Sequence, residues 1–200
     1  MSIGKRFREV VAVCVASVAI AVSGFCESSK ANESLQSNLR QGGYVIYFRH
    51  GLASNDARPD DKLPTQIKDC KGERHITESG IKVIKTIKSQ FNALKIPVGK
   101  AISSPACNAM ETSWYLLGTL VTVAPTLDGN PREQIWTELR PFLVSAPAKG
   151  TNTVIFAHGT NIKALTGLVL AEGEAVIYQP DGKGGYTFVT RLKPEDWSSK

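Results

Sequence analysis

Histidine is scarce in this chain, with three in 200 residues. Methionine is scarcer, at two, and there are four cysteines. No C-x-x-C and no H-E-x-x-H occurs, so the ligand spacings that mark zinc sites are missing. No G-x-x-x-x-G-K-[ST] occurs either, which excludes nucleotide hydrolysis of the P-loop type. There is no run of five like charges, and the formal net charge of +6 is spread along the chain. Such a surplus favours anionic partners weakly and gives no reason to invoke nucleic acid. No apolar run reaches the roughly 20 residues of a spanning helix. Internal repeats and low-complexity tracts are absent.

What is present starts with an export layout. Lys5, Arg6 and Arg8 form a basic head, and Val10 to Phe25 carries no charge. That is the pattern of a secretory signal peptide, with small-x-small cleavage sites at Ser29-Lys30-Ala31 and Val22-Ser23-Gly24. An uncleaved anchor is the alternative. Lipidation of Cys26 is disfavoured because bulky Phe25 precedes it. The reading is therefore a signal over residues 1–31, a polar tether or short leading helix over 32–41, and one domain over 42–200. The protein is expected in the periplasm or secreted, without stable membrane insertion after cleavage. In that oxidising setting Cys70 and Cys107 are left as a pair, and a disulfide between them is expected. Two free buried thiols are the alternative.

Strand and helix signals alternate along the domain. Tyr44–Phe48 and Thr153–Ala157 read as buried strands, and "AIS" and "LVTVA" as short ones. Thr77 caps a helix whose stripe is Ile81, Ile84, Ile87, Phe91 and Leu94. Further helices are expected over Ala106–Leu117, from Pro131 to about Val144, and over Asn161–Leu170. "EAVIYQ" and "YTFVTRL" flank "PDGKGG", a hairpin signal. The stretch from Gly51 to His75 reads as one long polar loop, with His75 facing solvent. The sum is a three-layer α/β sandwich: a mostly parallel sheet, helices on both faces, and a C-terminal antiparallel hairpin on one edge.

Two of the buried strands end alike. "YFRHG" places Arg49, His50 and Gly51 at one carboxyl end, and "FAHG" places His158 and Gly159 at another. Ligands of open α/β sheets sit at such ends. Glycine there lets backbone approach a ligand closely. Ser103-Ser104-Pro105 ends a third strand and opens a helix N-terminus, a natural anion cradle. Arginine grips a phosphoryl group with forked, charge-assisted bonds. A histidine with one ring nitrogen held can attack phosphorus with the other. A second histidine can stabilise the charge that develops.

Together "YFRHG", "SSPACNAMET" and "FAHGTNIKALTG" resemble the histidine phosphatase superfamily, the phosphoglycerate-mutase-like fold. "EGEAVIYQPDGKGGYTFVTRLKPEDW" looks like the tail of its exported bacterial branch. The likeness runs from about Gly42 to Trp197. It implies a phosphohistidine on His50, with Arg49 and His158 on the phosphoryl oxygens, a carboxylic acid for the leaving group, and no metal or other cofactor. It also points to Arg74, in "ERHITESG", as a pocket arginine, with a surface role as the alternative. The implied partner is a small phosphorylated substrate, and export suggests a phosphorylated envelope sugar. A mutase is disfavoured because free phosphosugar metabolites are cytoplasmic.

Two positions depart from the pattern. Asn108 stands where the family usually has a second phosphate-binding arginine, and loss of a charged hydrogen bond costs about 1.5–3 kcal/mol. Lys163, Arg74 or Arg58 could compensate. Gly159 stands where some members have an acid, which leaves Glu172, Glu174 and Glu111 as candidates, the first two preferred. Gly51, Gly159, Ser104, Asn108 and Arg74 complete the expected binding set. Cys107 is not a thiol-phosphatase nucleophile, since the arginine needed six positions on is Ser113. Two readings stay open: a metal-independent phosphomonoester hydrolase, and a weakened or inactive phosphate-binding member of the same fold.

Overall fold

The computed structural model describes residues 34–72, 74–130, 132 and 134–198. The expected signal over 1–31 and the Pro131 helix start lie outside the described residues. By internal contacts the chain divides into Met1–Asn38 with Ser199–Lys200, and Leu39–Ser198. Residues 34–41 are helical (α1). Among the described residues no helix is long and apolar enough to cross a membrane.

The sheet of the second unit has six strands. They are β1 (Val45–Arg49), β4 (Val98–Ser103), β5 (Thr122–Val123), β6 (Asn152–Ala157), β7 (Ala175–Pro180) and β8 (Tyr186–Leu192), in the order β5-β4-β6-β1-β7-β8. The first four in that order run parallel. β7 and β8 are antiparallel, and β7 pairs directly with β1. The hairpin lies on one edge as expected, and the parallel strands end beside it.

Register decides what meets at the strand ends. Arg49 lies opposite Ala157, and Ser103 opposite Phe156. Arg49-His50, Ser103-Ser104 and Ala157-His158 thus leave the sheet side by side. β1 and β6 are buried along both faces, as expected of strands covered above and below. Val45, Tyr47, Ile155 and Val176 pack with α5 (Ile135–Val144) and α6 (Gly159–Thr166) through Leu139, Leu143 and Ile162. On the opposite face Phe48 stacks on Phe156 and Trp197 and meets Phe91 of α3 (Glu78–Ala93).

Some boundaries match the sequence reading and others differ. α3 starts at its expected cap, where the Thr77 side chain accepts from Gly80 N–H. α4 (Cys107–Leu117) ends at left-handed Gly118. α6 begins two residues before Asn161 and stops at Thr166, because Gly167 takes the left-handed turn that ends helices. The Gly51–His75 stretch is not bare loop. It holds α2 (Thr65–Lys68) and a two-strand ribbon of β2 (Ala53–Ser54) and β3 (His75–Ile76).

Candidate active site

His50 is 3% exposed, and its Nδ1 lies 2.9 Å from the Gly51 carbonyl. A carbonyl only accepts, so Nδ1 carries the proton and Nε2 keeps its lone pair. Gly51 N–H donates to Thr112 Oγ1 at 2.9 Å, and that hydroxyl donates to the Asn108 carbonyl. The loop after β1 is thereby tied to the first turns of α4. Burial pushes the His50 imidazole below its ordinary range, and Arg49 and Arg74 add to that against the Gly51 bond and Glu172. His50 is neutral at neutral pH.

His158 is the N-cap of α6. Its ring centroid lies 5.3 Å from that of His50. Its Nε2 is 2.9 Å from Ser104 Oγ, which accepts from Ala106 N–H. Tyr47 donates its phenol to the His158 carbonyl at 2.8 Å. The turn Asp128-Gly129 supports the ring: a Cβ on Gly129 would lie 2.6 Å from the His158 ring. Thr160 and Asn161 hold that turn by donating to the Gly129 and Leu127 carbonyls. Burial lowers the His158 pKa to about 4, with His50 and the two arginines adding to the effect and Asp128 opposing it.

Two arginines converge beside the histidines. Arg49 Nη1 donates to the Leu170 carbonyl at 2.7 Å, and its Nη2 to Glu172 Oε1 at 3.3 Å. Its buried Nε has no protein partner. Gly159 lacks a side chain where Arg49 crosses it, since a Cβ there would sit 3.3 Å from the guanidinium arm. Arg74 Nη2 donates to the same Glu172 oxygen at 2.9 Å and to the Ala53 carbonyl. Ala53 N–H donates to the other Glu172 oxygen at 3.3 Å. Two positive charges share one carboxylate, which leaves one unbalanced.

The expected cysteine pair is placed at the edge of this site. Cys70 and Cys107 are disulfide-bonded. Lys71 N–H donates to the Pro105 carbonyl, and Cys107 N–H to the Lys71 carbonyl. The loop that carries Arg74 is thereby fastened to the N-terminus of α4, one residue before Asn108. Asn108 is 5% exposed, and its Oδ1 has no partner. Cys70, His75 and Cys107 hold potential metal-ligand atoms within 4.8 Å of one another. The disulfide occupies both sulfurs, and metal binding needs them as thiolates.

The remaining candidates separate. His75 is not solvent-facing: its Nδ1 meets Glu111 Oε1 at 2.7 Å, and its side chain is 15% exposed. Glu111 also accepts from Ile76 N–H and is buried at 2%, which commits it to holding β3 against α4. Glu174 is turned to β8, where Arg191 pairs with it, and it accepts from Ala171 N–H. That ion pair fixes the end of the hairpin and removes Glu174 from the set of free acids. Arg58 is exposed and bonds only carbonyls of its own loop, and Lys163 is exposed on α6. Neither replaces the missing arginine. Ser104, Thr112, Tyr47 and the Asp128-Gly129 turn are the supports that reading the chain left unassigned to one another. Ser104 is marked by its Ser-Ser-Pro motif and the turn by its Asp-Gly pair, whereas nothing local marks Tyr47 or Thr112.

No family model matches the chain, and no curated protein matches it by sequence. Solved structures do match. The protein histidine phosphatase SixA complexed with tungstate covers 78% of this chain and 99% of its own, with a TM-score of 0.55 and 18% identity. Phosphoserine phosphatase from Entamoeba histolytica, in complex with 3-phosphoglyceric acid, covers 78% and 99% with a TM-score of 0.53 and 12% identity. The chain shares its fold with these histidine phosphatase structures. Mycobacterial hydrolase 1 shares it too, covering 73% of this chain and 95% of its own at a TM-score of 0.51 and 14% identity. On this histidine phosphatase fold the three strand ends sit together as described, with Asn108 in the first turn of α4.

Proposed function

We propose that the chain is a metal-independent phosphomonoester hydrolase that works through a phosphohistidine on His50. One observation carries this reading. The Gly51 carbonyl holds His50 Nδ1–H, which leaves the Nε2 lone pair free, and two arginines converge on Glu172 near enough to act on the imidazole. His50 Nε2 forms the N–P bond as the P–O bond to the leaving group breaks. Arg49, Arg74 and the α4 N-terminus balance the phosphoryl charge. His158, held by Ser104, stabilises the transition state. Once the phosphoryl group replaces Glu172 on the two arginines, the Glu172 carboxylate takes up a proton from solvent and gives it to the leaving oxygen. It then takes one from the water that cleaves the phosphohistidine to inorganic phosphate. Ser104, Gly51 and Gly159 shape the cradle.

Export to the periplasm or outside belongs to the same reading. It is supported by the signal-like N-terminus and by the Cys70–Cys107 bond. A phosphorylated envelope sugar is the substrate class that fits this location. The phosphate-binding alternative draws on Asn108, which brings no charge, and on the hold of Glu172 over both arginines.

The test is turnover of an activated aryl phosphate with and without EDTA, beside His50→Ala. The expected result is EDTA-insensitive hydrolysis, an acid-labile phosphoryl-enzyme on rapid quench, and loss of both in His50→Ala. Binding of phosphate without turnover would leave the non-catalytic reading standing.

A further inference from the structure

We propose that Asn108 reads the protonation state of the bound phosphoryl group. Its side-chain oxygen accepts a hydrogen bond from a P–OH, so the site takes the monoanion of a phosphomonoester and rejects anions that carry no proton. This inference rests on the phosphoryl site assigned above.

Asn108 lies 5% exposed in the first turn of α4, an eleven-residue helix. Its Oδ1 is buried with no partner. Nearly all buried acceptors in proteins are paired, so an unpaired one points to a missing donor. The next turn of the helix says which way it faces. Thr112 accepts from Gly51 N–H, beside His50. Residues four apart share a helix face, so Asn108 lies on the face of α4 turned to the strand ends.

Apart from the Glu172 carboxylate, which the arginines hold, and the attacking His50 Nε2, the other groups at this place are donors. Arg49 Nε is buried and unpartnered, Arg74 reaches in from the stapled loop, and helix N-termini offer N–H groups. Donors suit phosphoryl oxygens. An acceptor in the same ring is matched only if the ligand brings a hydrogen. The monoanion of a phosphomonoester brings one, on its P–OH.

Charge agrees with the hydrogen-bond count. The groups around the pocket are Arg49 at the end of β1 and His50 after it, His158 at the start of α6, Arg74 and Glu172, with Asp128 behind His158 neutralised by its pair with Arg132. The His75–Glu111 pair lies behind, between β3 and α4. Both active-site histidines are held neutral by burial. Two arginines and one glutamate leave a single positive charge, which balances a monoanion. An arginine at position 108 would leave two, which suits the dianion. Phosphomonoesters lose their second proton near a pKa of about 6, so this site would favour mildly acidic conditions.

The experiment is calorimetric titration of the full chain with inorganic phosphate and, separately, with sodium sulfate, from pH 5 to 8. Sulfate has the shape of phosphate and no proton in this range. Both anions meet the same free protein at each pH, so its protonation before binding is common to the two titrations. The expected result is phosphate tighter than sulfate by at least about tenfold at pH 5, with the advantage shrinking as pH rises. Asn108→Asp, an acceptor of the same shape, should keep the preference. Asn108→Arg, a donor, should abolish it and admit sulfate. Equal binding of the two anions at pH 5, a preference that survives Asn108→Arg, or one lost in Asn108→Asp would each overturn the inference alone. If neither anion binds, the phosphoryl site falls with it.

Discussion

Arg49 and Arg74 close on one oxygen of Glu172, with Nη2 atoms 3.3 and 2.9 Å away. One arginine ends a sheet strand and the other rides on a disulfide-anchored loop. Their meeting on a carboxylate shows that they can meet on an anion. A phosphoryl group presents the same kind of oxygen and competes for the same N–H donors. Glu172 therefore restrains both guanidiniums before substrate arrives and lies beside the leaving group afterwards.

Glu172→Gln separates these two effects. Removing its charge frees the arginines, and inhibition by phosphate should tighten about tenfold. Removing its proton should lower kcat by about 10²–10⁴-fold for an alkyl phosphate and much less for an aryl phosphate, whose leaving group needs no acid. Steady-state kinetics on the two substrates check this. Equal losses on both would show that Glu172 only positions the arginines. Glu174→Gln should lower stability through its Arg191 pair and leave the substrate ratio alone.

The histidines set the pH dependence of stability. Burial and the arginines hold His158 at about 4, whereas an unfolded histidine titrates near 6.5. Between those values the unfolded chain binds a proton that the native chain refuses. Stability from this group is thus fully present above about pH 6.5 and falls as pH drops toward 4, by up to about 1.4 kcal/mol per pH unit. His50, also shifted downward, acts in the same direction. Urea unfolding at pH 7 and pH 5 should show a loss at pH 5 that is smaller in His158→Gln. An unchanged difference in that variant would contradict the assignment.

The disulfide links stability to the site. Cys70 and Cys107 are separated by 37 residues, and closing a loop of that length is worth about 4 kcal/mol by chain entropy. The Cys70→Ser, Cys107→Ser double variant should lose stability of that order in urea. It should also release the loop that places Arg74. KM for an aryl phosphate should then rise more than kcat falls, because substrate binding loses a positioned charge. A change in stability with KM intact would mean that Glu172 and the Ala53 carbonyl hold Arg74 without the disulfide.

How far the chain could be read depended on whether the signal was local. The buried runs of β1 and β6, the Thr77 cap and the stop at Gly118 are written in neighbouring residues, and they placed Arg49, His50 and His158 at strand ends. α6 starts two residues before the expected Asn161, whose amide donates from inside the helix to the Leu127 carbonyl, a partner distant in sequence. Glu172 and Glu174 share a loop and cannot be told apart by periodicity. The choice rests on Arg191 and Arg74, which are distant in sequence. His75 looked solvent-facing because its partner, Glu111, lies on a different element. The polar stretch after Gly51 hid α2 and the β2–β3 ribbon, since elements of two to four residues leave no period to detect.

The support beneath His158 allows a controlled test of how closely the ring must be held. Gly129 has φ of +84°, and a Cβ there would lie 2.6 Å from the ring. Gly150 has φ of +75°, and a Cβ there would meet nothing within 4 Å. Alanine at either position meets the same backbone strain, about 1 kcal/mol or somewhat more. Only Gly129→Ala also pushes on the imidazole and its 2.9 Å contact with Ser104 Oγ. Misplacing a catalytic group by about 1 Å costs on the order of 10²-fold in rate. Both variants should therefore lose a few degrees of Tm, and only Gly129→Ala should lose kcat, by roughly that factor. Thermal melts and aryl phosphate turnover measured side by side decide it. Equal activity in the two variants would mean that the His158 ring tolerates displacement and that its role is to fill space beside His50 rather than to touch the phosphoryl group.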